Sequence, residues 1–441
     1  MRRAASILLS LAVRRSRQCR RRLLVAMSAL SMGVAALSPP TLAGPPTGVD
    51  ADVGADRFAA LLLELARHPT VLALRDTVLS ARERADAVSA LPDPQFSLGI
   101  NNFPLLDPSF DEYLPTNGAV GVSQSIPNNT VRRARSAAQL RYADSREFAV
   151  FRQLDLLEAR LVHALVDRER VAEQMRIARE RDTRYTALVE VIQTEIDAGR
   201  PLVFRLSQID VERADVAREL VALAGEAAEV DAMLIDLVGA PVTVPPPRFA
   251  SMPVRGGDAL EFHDVRLARS QVRIADAGVD EAEGATGPDW RVGLSWQLRT
   301  VGRGGPGSTF EGDDWVSANI SFTLPVWRAK SQAPGLRAAR AQRAAVHNES
   351  LGVARQAEAR WLTLQSRVQT AERSIEILRT KLAALDAQIA ALLTTYEAGR
   401  GDYSQVIDAE IARLTLQSQL LTHRAQRDKS IATAKAMLVT P

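Results

Sequence analysis

Eleven positions between 361 and 396 constrain this chain more than any short motif in it. Trp361, Leu364, Val368, Ala371, Ile375, Leu378, Leu382, Leu385, Ile389, Leu392 and Tyr396 are apolar or aromatic, and their spacing alternates three and four residues throughout. That is a heptad seam, and its period of 3.5 winds a helix into a left-handed supercoil against its partners. Two hundred residues earlier, Leu161, Ala164, Arg168, Val171, Met175, Ala178, Asp182, Tyr185, Val189, Ile192 and Ile196 keep the same register, with nine of the eleven apolar. Arg168 and Asp182 interrupt the seam as solvated or paired positions. A helix from about 130 to 198 runs on the order of 100 Å, a length that no ordinary globular core requires.

Each long helix ends at a matching turn, TEIDAGRPLVFRLSQID in the first copy and TTYEAGRGDYSQVIDAE in the second. Gly199 and Gly399 fit the left-handed position just past a helix end, where the missing Cβ removes the steric penalty. Asp402 fits an N-cap and Pro201 a first helical turn of the helix that returns. The first return carries Ile209, Val216, Leu220, Leu223, Val230, Leu234 and Leu237 at seam spacing; the second, with Ile407, Ile411, Leu414 and Leu421, is the weaker pattern. The chain therefore builds a helical hairpin twice.

Before each hairpin the period changes to two. Trp290, Val292, Leu294, Trp296 and Leu298 alternate with Arg291, Gly293, Ser295, Gln297 and Arg299; after the loop VGRGGPGSTFEGDD, Val316, Ala318, Ile320, Phe322 and Leu324 alternate with Ser317, Asn319, Ser321 and Thr323. The earlier counterpart is PQFSLGIN, a loop through PLLDPSFDEYLP, then GAVGVSQSIP, with Phe96, Leu98, Ile100, Val120 and Val122 on the apolar side. Alternation over about ten residues marks two β-hairpins, closed by Pro127 and Pro325.

The first 43 residues hold eight arginines and no acid, followed by an apolar run from Leu23 to Leu37 and small residues at Ala43-Gly44. This is the pattern of a secretory signal peptide, with an apolar run shorter than the roughly 20 residues of a spanning helix. Without those eight arginines the formal charge of +3 becomes about −5, which disfavours nucleic acid as a partner. The only cysteine, Cys19, leaves with the leader, and the five histidines have no metal-ligand spacing. No phosphate loop, nucleophile elbow or paired-histidine helix is present. The reading is of a non-enzyme, with no catalytic residue, no cofactor and no bound metal.

Alternating strands of this kind also occur half-buried in soluble sheets. Export, strands long enough for a tilted crossing of hydrocarbon, and Trp290, Trp315 and Trp327 at strand ends favour a membrane sheet, Trp296 fitting less well at mid-strand. Four strands cannot close a barrel, and open edges in lipid leave backbone groups unpaired at several kcal/mol each. Closure must then come from other copies: a dimer supplies eight strands, a trimer twelve.

Signal peptide, strand pair, very long helix and glycine-containing return, twice over, together with LPDPQFSLGI, VGVSQSIPNNTVRRARSAA and YEAGRGDYSQVIDAEIARL, resemble the TolC family of outer-membrane efflux proteins, and most the cobalt-zinc-cadmium and copper resistance branch. The resemblance implies a mainly α fold with a transmembrane β part, trimerising into an α-barrel and a 12-stranded β-barrel in outer-membrane lipid of a Gram-negative bacterium. It implies segments at 1–43 (leader), 44–92 (lead, flexible to about Asp56, and a first short helix), 93–127 and 288–326 (strand hairpins), 128–240 and 327–441 (helical hairpins), and 241–287 (linker and short helix). It implies as partners a periplasmic adaptor and an inner-membrane pump of the resistance-nodulation-division type. Gly199, Arg200, Gly399 and Arg400 then lie at the periplasmic tips that meet the adaptor. The family's aperture acid falls on Asp408; a second acid position falls on Gln405, which leaves a single acidic ring, with Arg400 or Arg200 as restraining partners. Arg291, Ser295, Gln297, Arg299, Ser317 and Asn319 are expected to face the lumen. A general drug or protein export duct is the alternative within the family, and a secreted coiled-coil scaffold or periplasmic adaptor the alternative outside it.

Overall fold

The computed structural model describes residues 49–106, 108, 116–299 and 314–439. The expected leader at 1–43 and the tips of both strand loops lie outside the described residues, and every statement below concerns the described ones. In chain order the elements are α1 (Val49–Leu65), α2 (Pro69–Ser89), β1 (Gln95–Asn101), β2 (Asn117–Ile126), α3 (Asn129–Asp197), α4 (Val203–Val238), a 3-10 turn (Ala259–Glu261), α5 (His263–Gly284), β3 (Trp290–Leu298), β4 (Trp315–Phe322), α6 (Gln332–Glu397) and α7 (Tyr403–Met437). The lead expected to stay flexible to about Asp56 is helical from Val49, and two helices stand where one short one was expected. Apolar Phe58, Leu61, Leu62 and Leu65 at helical spacing explain this: they pack with Leu157, Leu161 and Leu165 of α3 in one core cluster.

The helix α3 is 69 residues long and α6 is 66, about 100 Å each. Asn128 caps α3 by accepting from the Thr130 amide at 2.9 Å. Packing contacts arrange the helices as one layer. In the half near the strands the order is α2, α3, α5, α6; in the other half it is α4, α3, α7, α6. Because each helix meets neighbours on two sides only, seam residues such as Leu161, Ala164, Val171, Ala178, Tyr185 and Ile192 are buried while the edges of α4 and α6 are not. Arg168 and Asp182, the two breaks in the first seam, form ion pairs with Asp231 and Arg213 of α4.

The second return helix is the better packed of the two, contrary to its weak apolar pattern. It runs between α3 and α6 and buries Ala425, Asp428, Ser430, Ala432, Ala434 and Ala436 beside Ile407, Ile411 and Leu414. Small residues let two neighbours approach closely at once, and a seam defined by large apolar residues does not register them.

The four strands form one antiparallel sheet in the order β1-β2-β3-β4. Val120 lies opposite Trp296 and Val122 opposite Leu294, so the two hairpins join across β2 and β3. A clip at the junction fixes the sheet to the helices: the Asn128 amide donates to Asp289 Oδ1 at 2.7 Å and Asn128 Nδ2 donates to the Gly284 carbonyl at 2.8 Å. Glycine leaves room for this clip: a Cβ at Gly287 would meet Asn128 Nδ2 at 2.2 Å and displace it, and one at Gly284 would crowd Val131 N at 3.1 Å. A linker from 239 to 258 crosses one face of the helical layer, with Arg248 on Glu169 of α3, Phe249 against α3 and α7, and Arg255 on Glu358 of α6. No described helix is long and apolar enough to cross a membrane.

Candidate functional site

At the end of α3 the Gly199 amide donates to the Ile196 carbonyl at 2.8 Å and the Arg200 amide to the Glu195 carbonyl at 3.0 Å; at the end of α6 the Gly399 and Arg400 amides reach Tyr396 and Thr395 at 2.8 and 3.1 Å. Both are Schellman caps, which require a left-handed residue. The φ angles of Gly199 and Gly399 are +88° and +68°. Asp402 caps α7 by accepting from Ser404 N at 2.8 Å. Pro201 does not enter the first turn of α4 as expected: the helix begins at Val203 with Leu202 as N-cap, and the Leu202 amide instead donates to the Arg200 carbonyl at 2.9 Å.

Three residues past each turn the return helices begin, and here the structure brings together residues 203 apart. Arg205 Nη2 of α4 donates to Asp408 Oδ2 of α7 at 2.6 Å, and Arg205 Nη1 donates to Gln208 Oε1 at 3.0 Å. The expected partners are corrected: Arg200 turns back to Glu195 of its own helix at 3.2 Å, and Arg400 is exposed with no acidic partner within reach. Both lie in the tight turns, whereas Arg205 sits in the first turn of α4 within reach of Asp408 on α7. Gln405 is exposed. The signal for Arg205 was present in the 200-residue offset, which aligns it with Gln405, and Gln208 with Asp408. Beneath the bridge, Ile209, Val216, Ile407, Ile411, Leu188 and Ile192 form one apolar cluster, and Arg184 of α3 reaches Glu410 of α7 at 3.3 Å. The tip is thus an ion pair over a packed apolar plug.

The sheet sorts its side chains by face, with Gln124 beside Val292 on the apolar face and Trp315 beside Gln297 on the polar face as the exceptions. Phe96, Leu98, Ile100, Val120, Val122, Trp290, Val292, Leu294, Trp296, Leu298, Val316, Ile320 and Phe322 share one face by register. Phe96 and Leu98 are 79% and 83% exposed, values that water does not tolerate over so large a patch. On the other face lie Arg291, Ser295, Gln297, Ser317 and Asn319, with Gln297 Nε2 donating to Ser317 Oγ at 3.2 Å. Arg299, just past β3, stacks over Trp315 at 3.7 Å from the ring centroid. Trp315 pairs with Gln297 and so sits on the polar face, not in an apolar girdle; Trp296 lies two residues from the loop end of β3, not at mid-strand. Trp290 and Phe322 meet at 5.0 Å at the helix end of the sheet. The outer edges of β1 and β4 have no strand partner.

Between α3 and α7, His163 Nε2 lies 2.9 Å from the Lys429 carbonyl and 3.1 Å from Thr433 Oγ1. A carbonyl only accepts, so Nε2 carries the proton. Burial holds the His163 pKa below the ordinary value of 6.5, against the hydrogen bond to the Lys429 carbonyl, which favours the protonated ring. Among the described residues no group of three or more His, Cys, Asp or Glu stands together as a metal site.

Against known proteins, no family model matches the chain, and no curated protein sequence matches it. Solved structures do. CusC, described for the conformational changes that accompany folding and transmembrane channel formation, aligns with a TM-score of 0.72 at 16% identity over 87% of this chain and 92% of its own. The open state of the MtrE outer membrane channel of Neisseria gonorrhoeae aligns at 0.67 and 17% over 86% and 88%. The CmeC outer membrane channel of Campylobacter jejuni aligns at 0.69 and 11% over 92% and 93%. The chain has the fold of these TolC-type channels; at such identities the likeness is one of fold.

Proposed function

We propose that this chain is the outer-membrane channel of a tripartite efflux system, working as a homotrimer. One observation carries the reading: a sheet with two open edges and a predominantly apolar face, much of it exposed, continuous with a helical layer one helix thick whose own edges are also open. In hydrocarbon each unpaired backbone group costs several kcal/mol, so β1 and β4 demand strands from neighbouring copies. Three copies give twelve strands around a lumen lined by Arg291, Ser295, Gln297, Arg299, Ser317 and Asn319. The same closure serves the helices. Val203, Phe204, Val211 and Val221 on α4 and Leu351, Leu362 and Ile377 on α6 are exposed apolar edge residues, and pairing the edges of adjacent copies makes a hollow periplasmic barrel. The likeness to solved outer-membrane channels supports the reading.

The mechanism is passive conduction without catalysis. Gly199, Arg200, Gly399 and Arg400 present the tips to a periplasmic adaptor, which connects to an inner-membrane pump of the resistance-nodulation-division type. Asp408, repeated in three copies, rings the constriction and favours cations; Arg205 holds it against α4. Opening separates that pair and repacks the cluster around Ile407. The substrate class proposed is heavy-metal cations, supported by the resemblance of the sequence to the cobalt-zinc-cadmium and copper resistance branch.

The test begins with fractionation: the protein is expected in outer membranes, soluble only with detergent, and conducting in planar bilayers. Asp408→Ala and Arg205→Ala are each expected to raise conductance, and Asp408→Ala alone to relieve block by divalent cations. A monomer recovered from the periplasm without detergent would overturn the reading, and a deletion strain challenged with zinc, cobalt, cadmium, copper and drugs decides the substrate class.

A further inference from the structure

A cavity of about 520 Å³ lies where α7 ends and α5 begins, between α3 and α6. It arises from the layer itself. Helices α7 and α5 occupy the same slot end to end, and at the joint neither fills the space that separates α3 from α6. The volume falls in the range of small-molecule sites.

Its lining has two chemistries. Leu156, Phe262, Leu364 and Met437 supply an apolar floor, with Trp361 edge-on behind Phe262 at 6.1 Å between ring centroids. Around them stand Arg152, Arg160, Arg360 and Arg367 against a single acid, Asp264. Asp264 accepts from Arg152 Nε at 2.6 Å and lies 3.6 Å from Arg360. Arg160 and Arg367 have no acidic partner. His163, also in the lining, supplies no negative charge in either protonation state. The positive end of α5 and the negative end of α7 both reach the site and offset each other, so side chains set its charge.

The two unpaired arginines open on the face away from the linker. Arg160 and the linker-bound Glu169 are nine residues apart on α3, as are Glu358 and Arg367 on α6, and nine residues is about two and a half helical turns. Each pair therefore points to opposite faces, and the linker does not cover the cavity.

We propose that this cavity binds amphipathic organic anions, the apolar part of the ligand resting on Phe262, Leu364 and Met437 and its carboxylate or sulfonate taken by Arg160 and Arg367. The site goes beyond the conduit reading and does not depend on it. Guanidinium groups suit both anion types through paired N–H donors, and the cationic rim works against cationic guests of the same shape.

The test is calorimetric titration of the purified full chain, held in a non-ionic detergent, with naphthalene-2-sulfonate as the probe and naphthylmethylammonium as its cationic counterpart. Saturable binding of the sulfonate and none of the ammonium is expected. The double variant Arg160→Gln/Arg367→Gln should weaken the sulfonate about tenfold. Ala359→Trp, at an exposed rim position, should abolish binding by filling the entrance, with helical circular dichroism unchanged. Equal binding of the two probes, wild-type affinity in both variants, or no saturable sulfonate binding in the millimolar range would each overturn the proposal.

Discussion

The hairpins α3–α4 and α6–α7 turn at the same Ala-Gly-Arg sequence with the same cap, yet they are held together differently. Between α3 and α4 stand four ion pairs, Arg168–Asp231, Arg170–Glu226, Arg181–Glu219 and Arg213–Asp182, and the Tyr185 hydroxyl donates to Glu212 at 3.2 Å. Between α6 and α7 the described residues show one, Arg413–Asp386 at 2.7 Å. Burial diverges as well. The α3 seam is half-buried at Arg168, Met175, Asp182 and Val189 but still buries Tyr185 and Ile192 towards its tip, whereas on α6 it is buried to Leu378, half-buried at Leu382, Leu385, Ile389 and Leu392, and exposed at Tyr396. A repeated sequence does not make repeated environments. The helix α7 has α3 and α6 on either side, and at the tip it also meets α4 through Arg205 and Asp408, whereas the tip of α6 has α7 alone. Both hairpins keep an open edge, on α4 and on α6; what differs is that the seam between the two helices stays covered near the tip of the first hairpin and loses cover near the tip of the second.

The sharpest way to break this comparison is to cut the same kind of side chain from both seams. Ile192→Ala removes a side chain that is 2% exposed and should cost about 2–4 kcal/mol of local stability; Ile389→Ala should cost about 1 kcal/mol or less, because less area leaves water. Amide exchange at the two tips, read by mass spectrometry, should then accelerate at least about 30-fold at the first and only a few-fold at the second. Equal acceleration would show that the two seams are equivalent in solution.

A smaller and equal effect is expected at the turns. Gly199→Ala and Gly399→Ala each place a Cβ on a left-handed residue with nothing within 4 Å, so the penalty is conformational, about 1 kcal/mol in either hairpin. Exchange protection of the last turn of α3 and of α6 should fall together. A much larger loss at Gly399 would mean that this turn carries a packing role the first lacks.

The smallest effect concerns the joint between the hairpins. His163 links α3 to the α7 backbone, and its folded pKa lies below the ordinary 6.5 because it is buried. The unfolded state therefore binds its proton first as pH falls. The stability linked to neutral His163 is present in full above pH 6.5 and is lost as pH falls through the lowered folded value. Comparing His163→Gln with wild type by thermal unfolding across that window should show a flatter pH dependence in the variant. The Lys429–Asp167 pair beside it, at 2.8 Å, is the charged neighbour whose contribution the same series controls for.

Much of this was legible in the residues. Heptad spacing gave the long helices because apolar burial dominates their energetics and leaves a period; the glycines gave the turns because only glycine takes that backbone freely; alternation gave the two faces of the sheet, which the register keeps apart except at Gln124 and Trp315. The burial of Ala425, Ser430, Ala432 and Ala436 left no such trace, since small residues carry weak hydrophobic signals wherever they sit. The bridge from Arg205 to Asp408 left only the hint of the 200-residue offset. Charge identity says that a partner is wanted, and which partner is reached depends on how two helices from different hairpins are set against α3.

The sequence by itself determined periodicity, and with it the element types, their order, the turn chemistry and the sorting of strand residues into apolar and polar faces. All of these are local, being fixed by backbone sterics and by the repeat of each element. Only the tertiary structure decided which helix lies between which, and so the joining of two hairpins into one sheet, the pairing at the tip, and the cavity where α7 meets α5. Those depend on distances between segments far apart in the chain, set by the packing of whole surfaces at once.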